Sequence, residues 1–157
     1  MNLDRHELPH VVVGSCMEVH RHLGPGLEAS AYRACLIHEL RMREIVFEVD
    51  RPLLINYKGH ELASAAMLEL VVEGQILVVV KSVDELKPIH KDQMMNHLRL
   101  SGMETGFLVN FNVPHLRSKG LKRIIVSSSA PSLPYQMSED RRAAAPPNKP
   151  AREVRGT

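Results

Sequence analysis

Two charged residues interrupt apolar runs in neighbouring segments of the chain. Glu69 lies between Leu68 and Leu70, and Lys81 follows the run Ile76 to Val80. A carboxylate and an ammonium group on adjacent strands can belong to a polar functional site. The plainer alternatives are an ion pair between the two, or side chains that reach solvent at a strand end. We interpret both residues as candidates for a functional site.

Two further groups of side chains have types and spacings suited to chemistry. Gln93 and His97 are one helical turn apart and share a helix face, either as a plain polar face over a sheet or as support for a site. A basic cluster near the end of the folded region is suited to contacting the phosphates of nucleic acid, or else is a solvated loop and strand edge. That cluster consists of Arg117, Lys119, Lys122 and Arg123.

The elements that must position these residues follow from periodicity and turn residues. Apolar spacing predicts a helix up to Gly24-Pro25-Gly26 and a second helix over residues 27–43, with Glu28 in its first turn. Alternating and β-branched segments predict strands over residues 46–57, 61–72, 75–81, 106–111 and 121–126. Pro52 interrupts the first strand or places it at an edge. Pro88 starts a helix that runs to about residue 100. This order predicts an α/β fold with a mixed sheet flanked by helices.

The loop of the second hairpin decides whether Glu69 and Lys81 come together. If residues 73–75 form a three-residue loop, Glu69 faces Val79 and Met67 faces Lys81. If the loop has two residues, Glu69 faces Val78 instead, and the site does not assemble.

Four segments of the chain resemble a known family. They are GPGLEASAY (24–32), MLELVVEGQILVVVK (67–81), IHKDQMMNHLRLSG (89–102) and LVNFNVPHL (108–116). They are similar to the GxxExxY family of the PD-(D/E)XK nuclease superfamily, and the resemblance covers roughly residues 8–126. It implies a PD-(D/E)XK nuclease-like αβββαβ core, here with an extra N-terminal helix, and it favours the three-residue loop.

The resemblance also implies roles for particular residues. Glu69 stands where the family has its first sheet acid, normally Asp, and Lys81 and Gln93 match the later motif positions. Gly26 and Tyr32 match the Gly and Tyr of the family's name motif, and His97 stands where the family has Tyr. Two acids of the pattern are absent, because Ala29 replaces the helix Glu and Val79 replaces the second sheet acid.

The two missing acids weaken the binding of the metal ion that the resemblance implies. Nucleases of this kind hold Mg²⁺ or Mn²⁺ with several carboxylates, whereas Glu69 alone would hold such an ion weakly. We therefore predict a degenerate metal site with impaired or absent phosphodiester hydrolysis and with retained nucleic-acid or partner binding. One alternative is an active Mg²⁺- or Mn²⁺-dependent nuclease in which Glu28, Asp84 or Glu85 supplies the missing ligand. Another is an oligomerising scaffold module with no nucleic-acid role.

Composition narrows the remaining possibilities. The net charge of +2, from 20 basic and 18 acidic residues, argues against a strongly basic coat protein, and 4% aromatic residues argue against a base-stacking platform. No apolar run approaches the roughly 18 residues that span a membrane. The first residues lack a signal-peptide pattern, and Cys16 and Cys35 are expected to be buried free thiols, so we predict a cytoplasmic protein. DNA, RNA or a second copy of the chain are the candidate partners.

The composition changes near Ser127. Residues 128–157 hold half of the ten prolines and almost no large apolar side chains. Such a segment buries too little surface to offset its ordering entropy. We predict a nuclease-like domain over residues 1–126 and a disordered tail over residues 127–157.

Overall fold

The computed structural model of the protein describes residues 3–127, apart from the side chains of residues 64 and 65. From residue 128 onward, the predicted tail lies outside the described residues. The helices are α1 (Leu8–Leu23), α2 (Ala29–Met42) and α3 (Pro88–Ser101). The strands are β1 (Phe47–Tyr57), β2 (His60–Val72), β3 (Ile76–Lys81), β4 (Thr105–Asn110) and β5 (Leu121–Ile125), and a π-helical turn covers Leu116–Gly120.

The strands form one five-stranded sheet in the order β1-β2-β3-β4-β5. β3 and β4 run parallel because α3 crosses over between them, and the other neighbours are antiparallel. This arrangement confirms the predicted mixed α/β sheet with its order of two helices, three strands, a helix and two strands. Pro52 lies in the edge strand β1, where a residue without a backbone N–H is tolerated.

Three local features differ from the sequence predictions. Glu28 is the N-cap residue of α2 and does not lie in its first turn, since the helix begins at Ala29. Cys35 is exposed, because it lies one residue away from the buried stripe of α2 that ends in Leu36 and Leu40. The π-helical turn was not predicted, because five residues are too few to show a periodicity.

Each face of the sheet packs against helices. The first cluster joins α1 and α2 to side chains of β2, β3 and β4, among them Cys16, Tyr32, Leu36, Leu70, Val78 and Val109. The second cluster packs α3 on the opposite face, with Met94, Leu98, Val71, Leu77, Leu108 and Ile124. Alternation along the strands directs neighbouring residues to these two faces. The sheet is therefore buried on both sides, as in a three-layer fold.

The β2–β3 hairpin has the register that the sequence left open. Leu70 pairs with Val78 and Val72 pairs with Ile76, so residues 73–75 form a three-residue loop. Glu73 and Gly74 both have positive φ, 53° and 65°, and Gly74 tolerates this conformation without steric cost. The register, extended by one residue, places Glu69 opposite Val79. The register that the resemblance favoured is therefore confirmed.

Candidate functional site

Glu69 lies where β2 and β3 separate beyond the Leu70–Val78 pair. Its Oε2 accepts a hydrogen bond from the backbone N–H of Val80 at 3.1 Å. The carboxylate thus occupies the place of a strand carbonyl and satisfies a donor that the ladder leaves free. About a quarter of the side chain, 24%, remains exposed. One carboxylate oxygen of Glu69 therefore bonds to β3, and part of the side chain remains open to solvent.

Arg33 of α2 reaches over this carboxylate. Its Nη2 lies 2.6 Å from Oδ1 of Asp50 and also donates to the backbone oxygen of Glu69 at 3.4 Å. Its Nε lies 3.7 Å from Oε1 of Glu69, is shielded from solvent and has no hydrogen-bond partner among the described residues. The guanidinium therefore bridges two carboxylates and supplies the positive charge between them.

Asp50 is the site residue that sequence reasoning missed. It lies opposite Glu69, because the flanking pairs of β1 and β2 are Val49 with Leu70 and Arg51 with Leu68. The hairpin turn sets Tyr57 opposite His60, and that register alone would have placed residue 48 opposite Glu69. A register shift between Pro52 and Leu54 moves the partner by two residues. The only signals in the sequence were Pro52 and an acid in the middle of a strand.

The environment of Glu69 disfavours its charged form on balance. Burial raises the pKa of this carboxyl above its ordinary value. The Val80 N–H and the charges of Arg33 and Lys81 act in the opposite direction, while the charge of Asp50 adds to the rise. The charges of Arg33, Lys81 and Asp50 therefore all act on the Glu69 carboxyl, as expected of one polar site.

Lys81 is the last residue of β3, and hydrogen bonds hold the segment that follows it in place. It pairs in register with Asn110, and its backbone oxygen accepts from the N–H of Phe111 at 2.9 Å. The buried amide of Asn110 accepts from the N–H of Val83 at 3.0 Å and donates to the Val83 oxygen at 2.9 Å. Asn110 thus holds the chain that leaves β3 and keeps the partly buried Lys81 at the end of the strand.

Gly26 and Tyr32 organise the loop between α1 and α2. Gly26 has φ of 103°, which requires glycine. The buried Tyr32 hydroxyl donates to the Gly24 oxygen and accepts from the Leu27 N–H at 3.1 Å. Its ring stacks on Phe111 with centroids 4.6 Å apart. Ser82 donates its hydroxyl proton to the Leu27 oxygen, so this loop is fastened beside the end of β3. The two motif residues act on the shape of the loop.

The helix residues are less closely tied to the carboxylates. Gln93 is exposed on α3, and its side chain has no hydrogen bond among the described residues. His97, one turn later, is partly buried, and this burial lowers the pKa of its imidazole. The structure brings Glu69 and Lys81 close enough for the Lys81 charge to act on the Glu69 carboxyl. Gln93 and His97 lie on α3, which packs on the sheet face opposite to α2.

The predicted basic cluster divides into separate regions. Arg117 and Lys119 are exposed on the π-helical turn, which packs near α1. Lys122 pairs with Leu108, a residue of the α3 face, whereas Arg123 pairs with Phe107 of the other face. The guanidinium carbon of Arg123 lies 5.9 Å from the Phe107 ring centroid. Sequence proximity therefore does not place these four cations in one patch.

The donor set at Glu69 does not fit a divalent cation. The residue opposite Glu69 is Val79, and Ala29 follows the N-cap of α2 where an acid was expected. Glu28, Asp84 and Glu85 are exposed, and none of them affects the Glu69 carboxyl. Over residues 3–127, no three His, Cys, Asp or Glu side chains converge to hold a metal ion. Two carboxylates remain, and a guanidinium already bridges them.

Comparison with known proteins identifies the family. A model of the PD-(D/E)XK nuclease superfamily matches residues 6–124. No curated protein and no solved structure matches the chain. Nucleases of this superfamily generally use Mg²⁺ or Mn²⁺. No helix within the described residues is long and apolar enough to cross a membrane. The matched segment contains every helix and nearly all of the sheet, and the chain belongs to the PD-(D/E)XK nuclease superfamily.

Proposed function

We propose that this protein is a nuclease-fold member with a degenerate metal site, impaired or inactive in phosphodiester hydrolysis, that still binds nucleic acid. The observation that carries the proposal is Val79 in the position opposite Glu69, one residue beyond Leu70 and Val78, the last pair of the β2–β3 ladder. A valine side chain cannot ligate Mg²⁺, which needs oxygen ligands. We further assign the chain to the GxxExxY branch, on the support of Gly26 and Tyr32 in the loop before and within α2. A cytoplasmic location stays a prediction.

The position of Arg33 supports the loss of the metal. A divalent cation at this site would have to approach Glu69 and Asp50, and the Arg33 guanidinium already lies against both. Two positive charges within a few ångströms in a partly buried site repel each other strongly. Arg33 therefore compensates the carboxylates in the absence of a metal and opposes its binding.

A second candidate is an active nuclease with a rearranged acidic site. Asp50 favours it, because this carboxylate lies opposite Glu69 on the neighbouring strand. In this account Arg33 would turn away and leave Asp50 and Glu69 to hold the ion. The acid that completes the site would then be Asp50, and not Glu28, Asp84 or Glu85 as the sequence suggested.

Cleavage assays separate the two candidates. Purified protein is incubated with DNA and with RNA in Mg²⁺ and in Mn²⁺, beside Lys81→Ala and Asp50→Asn variants purified identically. We expect wild type and both variants to cleave no faster than the buffer control. Metal-dependent cleavage that is lost in Lys81→Ala and in Asp50→Asn would establish the rearranged site and reject the proposal.

A further inference from the structure

A small pocket lies where α3 begins, away from Glu69. It has a volume of about 300 Å³ and is bounded by α3 and β5. Leu108 and Ile124 form part of its floor, and three lysines stand around it. We call this the lysine pocket; its lysines are Lys87, Lys91 and Lys122.

The lysine pocket carries positive charge that is not compensated within the protein. No ion pair among the described residues includes Lys87, Lys91 or Lys122, although Arg21, Arg33 and Arg43 each lie against a carboxylate. The pocket has no acidic lining residue within the described part of the chain, and all three lysines are exposed. Like charges held together without a counter-ion repel one another. An anion in this pocket relieves that repulsion.

The fold adds to the attraction for an anion. Lys87 and Pro88, at the N-cap and first position of α3, line the pocket, and a helix of 14 residues presents partial positive charge at that end. Lysine binds phosphate groups as a compact point charge. Arg123 also borders the pocket, but its guanidinium lies over Phe107 on the other face, so it is not one of the binding groups.

The lysine pocket and the end of β3 share one neighbouring side chain, His90. His90 lies in the first turn of α3, and its Nδ1 accepts from the Lys87 N–H at 3.0 Å. Burial, and then the charges of Lys81 and Lys87, lower the pKa of the His90 imidazole. Lys81 of the candidate site and Lys87 of the pocket therefore act on the same side chain.

We infer that the lysine pocket is a phosphate-ester site and that it needs no metal. It holds the phosphate through the ammonium groups of Lys87, Lys91 and Lys122. The phosphate belongs either to the backbone of a nucleic acid or to a free nucleotide. The inference rests on the proposed function only in that the chain still binds nucleic acid, and it does not depend on whether hydrolysis is lost. It replaces the predicted basic cluster, because of the four cations in that cluster only Lys122 contributes to the pocket.

The test is binding of a short labelled DNA or RNA oligonucleotide in EDTA, measured by fluorescence anisotropy over a range of salt. The lysine variant is Lys87→Glu with Lys122→Glu. The matched control, Arg117→Glu with Lys119→Glu, makes the same change in net charge on the π-helical turn. The neutral pair Lys87→Gln with Lys122→Gln replaces the lysine variant if the reversed charges disturb folding. Urea unfolding measures the stability of every variant.

We expect the lysine variant to weaken binding by about tenfold or more and to lower the salt slope by about 2, one phosphate contact per lysine. The control should stay within about threefold of wild type, through general electrostatics alone. Equal losses in the two pairs, no loss in the lysine variants, or no wild-type binding at low salt would overturn the inference.

Competition identifies the source of the phosphate. A nucleoside monophosphate or inorganic phosphate that displaces the oligonucleotide at low concentration would make a free phosphate compound the ligand. Retention against both competitors would make it the nucleic-acid backbone. The binding assay contains no metal and is separate from the cleavage assay. Metal-dependent cleavage by wild type in the cleavage assay would therefore reject the proposed loss of hydrolysis without affecting the binding result. Failure of binding would reject the pocket and leave the loss of hydrolysis standing.

Discussion

Glu69 is held by partners within the protein at the point where β2 and β3 separate. Its carboxylate accepts from the Val80 N–H and lies near the Arg33 guanidinium, so both its oxygens have partners inside the protein. Burial nevertheless dominates, and the pKa of the carboxyl is raised. Breaking one side of such a cluster leaves the other charge uncompensated. Glu69 and Arg33 therefore depend on each other for charge compensation.

The raised pKa of Glu69 predicts how stability depends on pH. The folded state holds its proton to a higher pH than the unfolded state, so the free energy of unfolding falls as pH rises through the interval between the two pKa values. Glu69→Gln removes this titration. We expect the stability of wild type, relative to Glu69→Gln, to decline as pH rises from about 4 toward neutrality.

Urea unfolding at several pH values measures this difference. Glu48→Gln, which changes an exposed carboxylate of β1, is the matched control and should leave the pH dependence of wild type intact. If Glu69→Gln runs parallel to wild type across the whole range, the Glu69 carboxyl is not buried as described.

At the scale of elements, two glycines set how closely the layers approach. A Cβ on Gly106 of β4 would lie 2.4 Å from Met94 Cε of α3. A Cβ on Gly120, at the end of the π-helical turn, would lie 2.1 Å from the backbone oxygen of Asn110 and 2.8 Å from Val113 Cγ2. The Met94 side chain can move aside to make room for the added atom. The Asn110 backbone is part of β4, so moving it would disturb the sheet. Gly120 therefore fixes the position of the turn against β4.

Gly120→Ala should destabilise the fold by about 1–3 kcal/mol, because the added methyl group must displace the backbone of β4. Urea unfolding gives the value. Gly14→Ala is the control: its Cβ would meet only Arg43 Nη1, at 3.5 Å, and alanine in a helix should be favourable by about 0.5–1 kcal/mol. A neutral effect of Gly120→Ala would mean that the close approach to Asn110 is not a constraint.

The elements also show what the sequence can and cannot predict. The β2–β3 register depends on the length of the hairpin loop, which the local sequence left open. The family resemblance favoured the three-residue loop, which correctly placed Val79 opposite Glu69. The β1–β2 register depends on a register shift near Pro52. No turn residue in the sequence indicates this shift, and so Asp50 was missed. Arg33 was missed because α2 is far from Glu69 in sequence and only tertiary packing brings their side chains together.

For the whole molecule, the order of elements was enough to predict the architecture. Apolar periodicity and turn residues gave the mixed sheet, and the four family-like segments placed it in a superfamily that the match over residues 6–124 confirms. The lysine pocket was not foreseen, because Lys87, Lys91 and Lys122 meet only when α3 packs against β5. The boundary near residue 126 and any homo-oligomer stay predictions.

Binding of Mn²⁺, followed by electron paramagnetic resonance, tests most directly whether the metal site has been lost. Wild type is compared with Glu69→Gln and with Val79→Glu, which restores a carboxylate opposite Glu69. We predict that wild type and Glu69→Gln bind Mn²⁺ equally weakly, and that Val79→Glu gains a saturable site. A single tight Mn²⁺ site in wild type that disappears in Glu69→Gln would contradict the account, because the two carboxylates would then hold the ion despite Arg33.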